Sequence, residues 1–278
     1  MAEAIQRTSD TERDKLSVLL AIILSSATLF RFVELPNLSW DVQSVLGSPL
    51  GFDFSGETLV TLLIVGLVST GTLSILREHP LRETQERPLL FSLITPAIGS
   101  LLVSLLLIRA TSWILWLISL FIGGGAIGIL VHLSYQAFSA ESGAYPTART
   151  LLNIIDYLAG FALFSMLLRE QERALVTGPA VLILSGLLAG ELLSSSGAKI
   201  NHVLLYVGII AFIEAELAWV IGYWPVSSWP AATVLSLGLY VWSGIGYQYL
   251  LQRLTGRIII EFVAMSIIVL ALVIWIQP

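Results

Sequence analysis

INHVLLYVGIIAFIEAELAWVIGYWPVSSWP, residues 200–230, is the segment that decides the fold class. It is an apolar run that ends in a cluster of Trp, Tyr and Pro. About 20 consecutive apolar residues are enough for a helix to cross the hydrocarbon core of a bilayer, and Trp and Tyr concentrate at the membrane–water interfaces. The segment therefore predicts a transmembrane helix that ends in an interfacial aromatic belt.

Two carboxylates, Glu214 and Glu216, lie well inside this span. A charged side chain at the centre of a membrane helix costs about 2.5–3.5 kcal/mol on insertion scales. Residues two apart on a helix point about 200° away from each other, so at most one of the two carboxylates faces a given cavity. Glu216 shares a helix face with Trp219 and Val220, and we expect Glu216 to be the inward-facing one. Two roles stay open for these groups: holding helices together, or contacting a substrate or ion.

The composition is that of a membrane protein. Hydrophobic residues make up 56% of the 278 residues and charged residues 12%, whereas an ordinary soluble domain has about 25% charged residues. No stretch outside the apolar spans is long enough to form an independent core. We expect a cytoplasmic polar leader at residues 1–15, followed by a single integral membrane domain at residues 16–278.

Nine apolar spans of about 20 residues each, the length that crosses a hydrocarbon core of about 30 Å, follow one another along the chain. They are residues 16–33, 58–76, 88–108, 111–138, 149–168 and 173–196, the opening segment, and residues 226–252 and 258–276. The fold class is therefore all-α, a polytopic integral membrane helical bundle with short loops. Only Arg109 and Ala110 separate the third and fourth spans, which must form a tight hairpin if both cross the membrane.

The longest connection, residues 34–57, has a different pattern. Its sequences SWDVQSV and LGSPLGFDFSG alternate apolar and polar residues on both sides of a Gly-Ser-Pro turn, which predicts a small external β-hairpin at residues 39–55. An irregular loop is an equal alternative. In that alternative, Trp40, Phe52 and Phe54 dip into the membrane interface.

The distribution of Lys and Arg predicts the orientation. With the N-terminus inside, ten of the fourteen Lys and Arg residues fall on the cytoplasmic side, as the positive-inside rule requires. The other four are Arg31, Arg109, Arg169 and Arg173. We expect a cytoplasmic N-terminus and an external C-terminus, although the REQER segment at residues 169–173 places two basic residues on the outer side.

Polar residues inside the spans form two predicted layers, which supply the candidate site residues. The inner layer contains Asp156, Glu191 and Glu261, and the outer layer contains Arg31, Arg109, Glu214 and Glu216. In the outer layer, we expect Glu216 to pair with Arg31 or Arg109, because opposite charges reduce each other's burial cost.

The inner layer could be a metal or proton site, but it has no local ligand spacing such as H-E-x-x-H. Arg149 precedes Asp156 by seven residues and Arg257 precedes Glu261 by four, which places each pair on one helix face. These spacings favour local ion pairs at the cytoplasmic interface, with the carboxylates exposed to water. We expect no metal.

Known catalytic templates do not match this chain. It has no Walker motif, no recognisable Ser–His arrangement and no lysine in the middle of a span. GGGAIG at residues 123–128 has the wrong spacing for a dinucleotide fingerprint, and its small residues predict close helix packing instead. The absence of cysteine excludes disulfides and thiolate catalysis. We expect no catalytic residues, no cofactor and no nucleic-acid partner, and the sequence favours a role other than an enzyme.

Four segments carry a resemblance to a known family. They are LGSPLGFDFSG at residues 46–56, SGLLAGELL at 185–193, ELAWVIGYWP at 216–225 and LTGRIIIEF at 254–262. With them the chain resembles a family of uncharacterised bacterial multi-pass membrane proteins known only as a domain of unknown function. The resemblance implies a shared fold and a bacterial inner membrane, and it assigns no catalytic residue.

Two classes of function remain open. One is a structural or accessory subunit that packs against membrane lipids and other membrane proteins. The alternative is a proton- or cation-coupled carrier, or a lipid-handling protein, that uses intramembrane carboxylates. An enzyme that acts on a lipid is a third class. A cavity that reaches Glu216 or Asp156 would favour the carrier, and a solid core would favour the accessory subunit.

Overall fold

A computed structural model describes most of the chain. Outside the description lie residues 1, 34–37, 46–47, 80–87, 139–142, 170–173, 224–225 and 277–278, and only the backbone is described for residues 2–13, 38–45, 48–54, 174–175, 274 and 276. The described part of the chain is dominated by helices. The predicted all-α helical membrane fold is confirmed.

Ten helices are present among the described residues. They are α1 (Ala2–Phe32), α2 (Gly56–Arg77), α3 (Leu89–Ser92), α4 (Ile94–Arg109), α5 (Trp113–Gln136), α6 (Tyr145–Arg169), α7 (Ala174–Ser194), α8 (Ile200–Gly222), α9 (Ser228–Leu250) and α10 (Gly256–Ile276). Each predicted span coincides with one of them, except that α3 and α4 share the third span. The polar leader continues the first span as a single helix.

Eight described spans are long and apolar enough to cross a membrane, with α3 and α4 counted together as Leu89–Arg109. The long helix outside this set is α9, which has 23 residues. Its mean hydropathy is lower because it contains many Ser, Gly, Tyr and Trp residues in place of aliphatic ones. The chain is thus a multi-pass helical membrane protein, and the least apolar of the nine predicted spans is the eighth.

Two strands, β1 (Leu38–Val45) and β2 (Ser48–Phe54), lie between α1 and α2 and pair antiparallel. Leu38 is opposite Phe54, and the register shifts between Val42 and Val45. The side chains of Trp40, Phe52 and Phe54, on which the loop alternative depends, lie outside the described residues. Helix α2 starts directly after β2, and the Ser55 hydroxyl caps it by accepting a hydrogen bond from the Thr58 N–H at 3.2 Å.

A proline interrupts the third span. Helix α3 ends at Ser92 and α4 begins at Ile94, two residues before Pro96. Proline has no N–H to donate, and its ring crowds the carbonyl four residues earlier, here that of Ser92. Helix α4 then ends at Arg109, and three residues separate it from the start of α5 at Trp113. The predicted tight connection between the third and fourth spans is confirmed.

The chain forms two compact units. Unit 1 contains residues 1–84 and 96–148, and unit 2 contains residues 85–95 and 149–278. The predicted single domain over residues 16–278 stays a prediction. In unit 1, α1, α2, α4 and α5 contribute buried side chains such as Ile23, Val68, Leu107 and Ile127 to one apolar core.

The core of unit 2 forms around α7. Val181 and Leu188 of α7 and Leu235 of α9 are completely buried. Gly186 of α7 brings α8 close, because a Cβ at this position would lie 3.4 Å from the Cβ of Ala211. Small residues at such contacts let membrane helices approach each other closely.

Helix α5 uses the glycines of its GGGAIG segment in the predicted way. A Cβ on Gly124 would lie 2.8 Å from Leu24 of α1, and one on Gly128 would lie 3.0 Å from Leu20 of the same helix. A Cβ on Gly123 would collide with Val103 of α4, whereas one on Gly125 would meet open space. The predicted role of these small residues in close helix packing is confirmed.

The end of unit 1 opposite the hairpin contains a buried histidine. His79, just past α2, lies 4.6 Å from the Tyr135 ring and 5.1 Å from the Phe138 ring, measured between ring centroids. Burial lowers the pKa of His79 below its usual value, because desolvation disfavours the charged form. The imidazole therefore packs as a neutral aromatic ring at neutral pH.

We predict that Gly123→Leu destabilises the protein and that Gly125→Leu does not. At position 123 the new side chain collides with Val103, whose branched Cβ leaves it few alternative rotamers. Overpacking of this kind costs about 1–3 kcal/mol. Thermal unfolding of the purified variants in detergent, followed by circular dichroism, measures the difference. Equal melting temperatures for the two variants would contradict the packing at Gly123.

Candidate functional site

An arginine and a glutamate in unit 2 form a buried ion pair between two helices. Arg149 lies in the first turns of α6, and Glu191 lies in the last turn of α7; they are only 7% and 1% exposed. One terminal nitrogen of Arg149 donates to the Glu191 carboxylate at 2.7 Å. The other donates to the Glu191 backbone carbonyl, also at 2.7 Å. We call this arrangement the Arg149–Glu191 clamp.

The clamp supplies hydrogen bonds to two polar groups, the carboxylate and the backbone carbonyl of Glu191. Burial of either group without a partner would cost free energy. The last carbonyls of a helix have no N–H partner inside the helix, and the Glu191 carbonyl receives hydrogen bonds from Arg149 and from the Ser194 hydroxyl, the latter at 2.8 Å. A cation near a helix C-terminus is also favoured by the helix dipole. The expectation of a water-exposed Glu191 was wrong, because its carboxylate is buried and binds an arginine on the neighbouring helix α6.

Asp156 lies on the same helix as Arg149 and is completely buried. The Thr95 hydroxyl at the start of α4 donates to its Oδ1 at 2.8 Å. The expectation that Asp156 faces water was therefore also wrong. Sequence spacing singled out Asp156 as the partner of Arg149, and it could not indicate the glutamate on α7.

Next to Asp156, Tyr157 connects α6 to α9. Its hydroxyl lies 2.9 Å from the Ser243 hydroxyl. Ser243 donates its own hydrogen to the Leu239 carbonyl at 2.5 Å, so Tyr157 is the donor in the bond between them. The polar residues of α6 thus make specific contacts with the beginning of α4, with α7 and with α9.

The two carboxylates of α8 lie in opposite environments. Glu214 is completely buried, whereas Glu216 is exposed. The neighbours of Glu216 on its helix face, Trp219 and Val220, are 46% and 64% exposed, so this face points away from the unit. Our expectation that Glu216 faces inward was wrong. In a membrane helix the lipid-facing side is as apolar as the buried side, so apolar neighbours do not distinguish the two.

Glu214 is an unusual buried group. Among the described residues neither of its carboxyl oxygens has a hydrogen-bond partner. It packs directly against Gly238 of α9, where a Cβ would lie 2.5 Å from Oε1. Buried polar atoms without a partner are rare in native structures, and an ionisable residue in this position within a membrane is a candidate functional group.

Glu261 pairs locally, as its spacing predicted. Arg257 Nε donates to Glu261 Oε1 at 3.2 Å, four residues along α10, and both side chains are exposed. An exposed pair of this kind contributes little to stability. The predicted local ion pair between Arg257 and Glu261 is confirmed.

The arginines of the predicted outer layer both lie in unit 1. The Arg31 guanidinium lies 6.0 Å from the centre of the Trp113 ring, within the range of a cation–π contact. Arg109 is the last residue of α4. Glu216 belongs to unit 2, so its predicted pairing with Arg31 or Arg109 stays a prediction.

Unit 1 contains a cavity of about 600 Å³. It lies among the C-terminal part of α1, the N-terminal part of α2, the end of α4 and the start of α5. Its lining includes Arg31, Ser55, Glu57, Ile64, Leu107 and Trp116. Of the predicted site residues, Arg31 alone is part of this lining, and the cavity reaches neither Asp156 nor Glu216.

A family model described as "Protein of unknown function (DUF5656)" matches residues 37–276. The chain belongs to this family. The match runs from the hairpin to the end of α10 and includes all four segments that carried the resemblance. No curated protein matches the chain, and no solved structure matches it. Membership of the DUF5656 family therefore confirms the resemblance to a family known only as a domain of unknown function. It shows no bacterial origin and brings no activity with it.

Sequence reasoning missed the uncharged members of these contacts, Thr95, Tyr157 and Ser243. Hydroxyl side chains are common in membrane helices and often bond only to their own backbone, so they gave no signal. For Thr95, its position just before Pro96 was the available clue, because a helix interruption places side chains at unusual angles. Among the described residues, no group of three or more His, Asp and Glu side chains is suited to hold a metal ion.

We predict that breaking the Arg149–Glu191 clamp from one side costs more than replacing both partners. Arg149→Met or Glu191→Met leaves a buried group without its charged partner, and such changes cost about 3–5 kcal/mol. The double variant removes both charges and should recover part of the loss. Chemical unfolding of the four proteins in detergent gives the coupling energy.

The exposed pair on α10 provides the matched control for this cycle. Arg257→Met and Glu261→Met should change stability little, because water already solvates both groups. If Arg149→Met were as harmless as Arg257→Met, the clamp would not be a buried structural contact.

Proposed function

We propose that this protein is a structural or accessory component of its membrane, one that packs against lipids and other membrane proteins. The observation that carries this proposal is the Arg149–Glu191 clamp. Its hydrogen bonds occupy both a buried carboxylate and the end of a helix. Such a contact fixes helices in place, as an accessory subunit requires.

A carrier would need carboxylates that exchange protons or ions rather than carboxylates held in fixed contacts. A proton or cation relay needs at least one carboxylate on a pathway through the membrane that exchanges ions. Glu191 is engaged by Arg149, and Asp156 accepts a hydrogen bond from Thr95. Both carboxylates are buried, and neither lines the cavity of unit 1. These three facts favour the accessory role.

The surface of α10 also supports this role. Within the described residues, its candidate span Gly256–Val273 contributes no buried residue. It contacts α9 through Phe262, whose ring lies 5.3 Å from that of Tyr240 and packs on Gly244. Most of the helix is therefore available to lipid or to another membrane protein, and close packing drives such associations in a bilayer.

A second candidate function is a proton- or cation-coupled carrier or a lipid-handling protein, and Glu214 is the observation in its favour. This carboxyl is buried, and its oxygens have no hydrogen-bond partner among the described residues. Gly238 leaves just enough room for it. A group of this kind is a natural candidate for reversible protonation in a transport cycle.

Proteoliposomes with an imposed pH gradient separate the two functions. For an accessory component we expect the gradient to decay at the same rate with and without the protein, because Glu191 and Asp156 are held in fixed hydrogen bonds. A pH-sensitive dye inside the vesicles measures the decay. A flux that depends on the protein, and is lost in Glu214→Gln but retained in the exposed control Glu216→Gln, would overturn the accessory proposal in favour of the carrier.

The accessory proposal also predicts that the chain belongs to a larger assembly in native membranes. In mild detergent the chain should migrate within an assembly larger than its own 30.3 kDa. Its removal should lower the membrane levels of the co-migrating proteins, measured by quantitative mass spectrometry. Migration as a free chain, with unchanged levels of other membrane proteins, would contradict this role.

We further propose a bacterial inner membrane with a cytoplasmic N-terminus and an external C-terminus. The proposal is supported by the ten-to-four distribution of Lys and Arg and by the positive-inside rule. The chain contains no cysteine, so single cysteines can be introduced without a background. Ser48→Cys should react with an impermeant thiol reagent from outside the cell, and Thr84→Cys only after lysis. Reaction of both residues from one side would refute this orientation.

A further inference from the structure

We propose that the cavity of unit 1 binds one acyl chain of a zwitterionic phospholipid, with a headgroup that carries both a phosphate and a primary ammonium. At about 600 Å³ the cavity is within the range of about 300–1,000 Å³ that ligand sites usually occupy. None of the residues that support the accessory role lines it. The two proposals can therefore fail independently.

The charged residues of the cavity wall lie at one end, and the deeper wall has no charged side chain. Arg31, Ser55 and Glu57 line the part at the helix ends. Ala27, Ile64, Thr61 and Ser104 line the deeper part, where the hydroxyls of Thr61 and Ser104 donate to the backbone of their own helices. A site with an apolar body and a few polar groups at one end fits a ligand built the same way. This distribution indicates an amphiphile rather than a small polar solute.

The position of the cavity matches the depth of a lipid in a bilayer. Its polar part lies where α1 and α4 end and where α2 and α5 begin, which is the membrane interface for spanning helices. From Gly56 to Ile64 the helix rises about 12 Å, at about 1.5 Å per residue. The cavity therefore extends from the headgroup level into the hydrocarbon layer.

Aromatic residues independently mark the same level. Trp116 lines the cavity and is 4% exposed, and its ring stacks on that of Trp113 at 5.2 Å between centroids. The Phe32 ring meets Trp113 edge-on at 5.8 Å. Tryptophan is enriched at the headgroup level of membranes, so this cluster places the polar end of the cavity beside lipid headgroups.

The two charged residues at the polar end of the cavity indicate which lipid headgroup it would bind. Arg31 and Glu57 line the same cavity, yet in the described part of the chain they do not form an ion pair with each other. A guanidinium is well suited to bind phosphate oxygens, and a carboxylate binds an ammonium. Two opposite charges that stay apart match the two separated charges of a zwitterionic headgroup.

Tryptophan quenching by a brominated lipid tests the proposal. We would titrate the purified protein in a nonionic detergent with a lysophosphatidylethanolamine brominated in its acyl chain. Bromine quenches nearby tryptophans, so part of the quenching should disappear in Trp116→Phe. Arg31→Gln and Glu57→Gln should each weaken binding by about tenfold, because each removes a hydrogen-bonded charge.

Matched controls separate the contributions of chain and headgroup. Arg257→Gln and Glu216→Gln each remove an exposed charge in unit 2 that does not line the cavity, and they should leave binding unchanged. A brominated lysophosphatidylglycerol, which has no amine, should bind more weakly and respond to Arg31→Gln but not to Glu57→Gln. Free phosphoethanolamine, the headgroup without a chain, should not compete.

Three results would overturn the proposal. Equal quenching in Trp116→Phe and in the wild-type protein would place the lipid elsewhere. Unchanged affinity in both Arg31→Gln and Glu57→Gln would remove the headgroup contacts. A brominated fatty alcohol that binds as tightly as the lysolipid would indicate an adventitious additive only. Arg31 and Glu57 are exposed, so their variants should fold, and a normal elution volume and helical circular dichroism confirm that they do.

Discussion

Burial of charge in a membrane is the constraint on which the arrangement of unit 2 depends. A bilayer offers no water to a buried carboxylate or to the last carbonyls of a helix, so protein groups must satisfy both. Arg149 does this for Glu191 with two hydrogen bonds, each of 2.7 Å. The same guanidinium thus binds a side chain and a helix end, and links α6 to the C-terminal end of α7.

Different kinds of contact hold the helices together in the two units. In unit 1, glycines on α5 admit the side chains of neighbouring helices, so the contacts are close and apolar. In unit 2, polar contacts such as Asp156 with Thr95 and Tyr157 with Ser243 supplement the apolar core. Glu214 is the exception, since among the described residues its oxygens have no hydrogen-bond partner. If the protein exchanges protons, Glu214 is the residue that we expect to bind and release them.

Two features of the chain connect this structure to lipids. The cavity of unit 1 has charged residues at the helix ends and no charged residue deeper in its wall, a distribution that fits the phospholipid we propose. Helix α10 turns most of its surface away from the rest of unit 2. The interactions that we propose for this protein, packing and headgroup contacts, both depend on where a few charged residues lie relative to helix ends.

The sequence by itself determined the helical membrane class, the limits of the spans, the close packing at GGGAIG and the local pair of Arg257 with Glu261. These properties follow from hydropathy and from spacing within one helix, which the chain order specifies. The tertiary structure decided that Glu214 rather than Glu216 is buried, and that Arg149 binds Glu191. Lipid and protein interior are equally apolar, so a membrane helix carries no hydrophobic signal for its inward face, and partners on different helices are set only by how the helices pack.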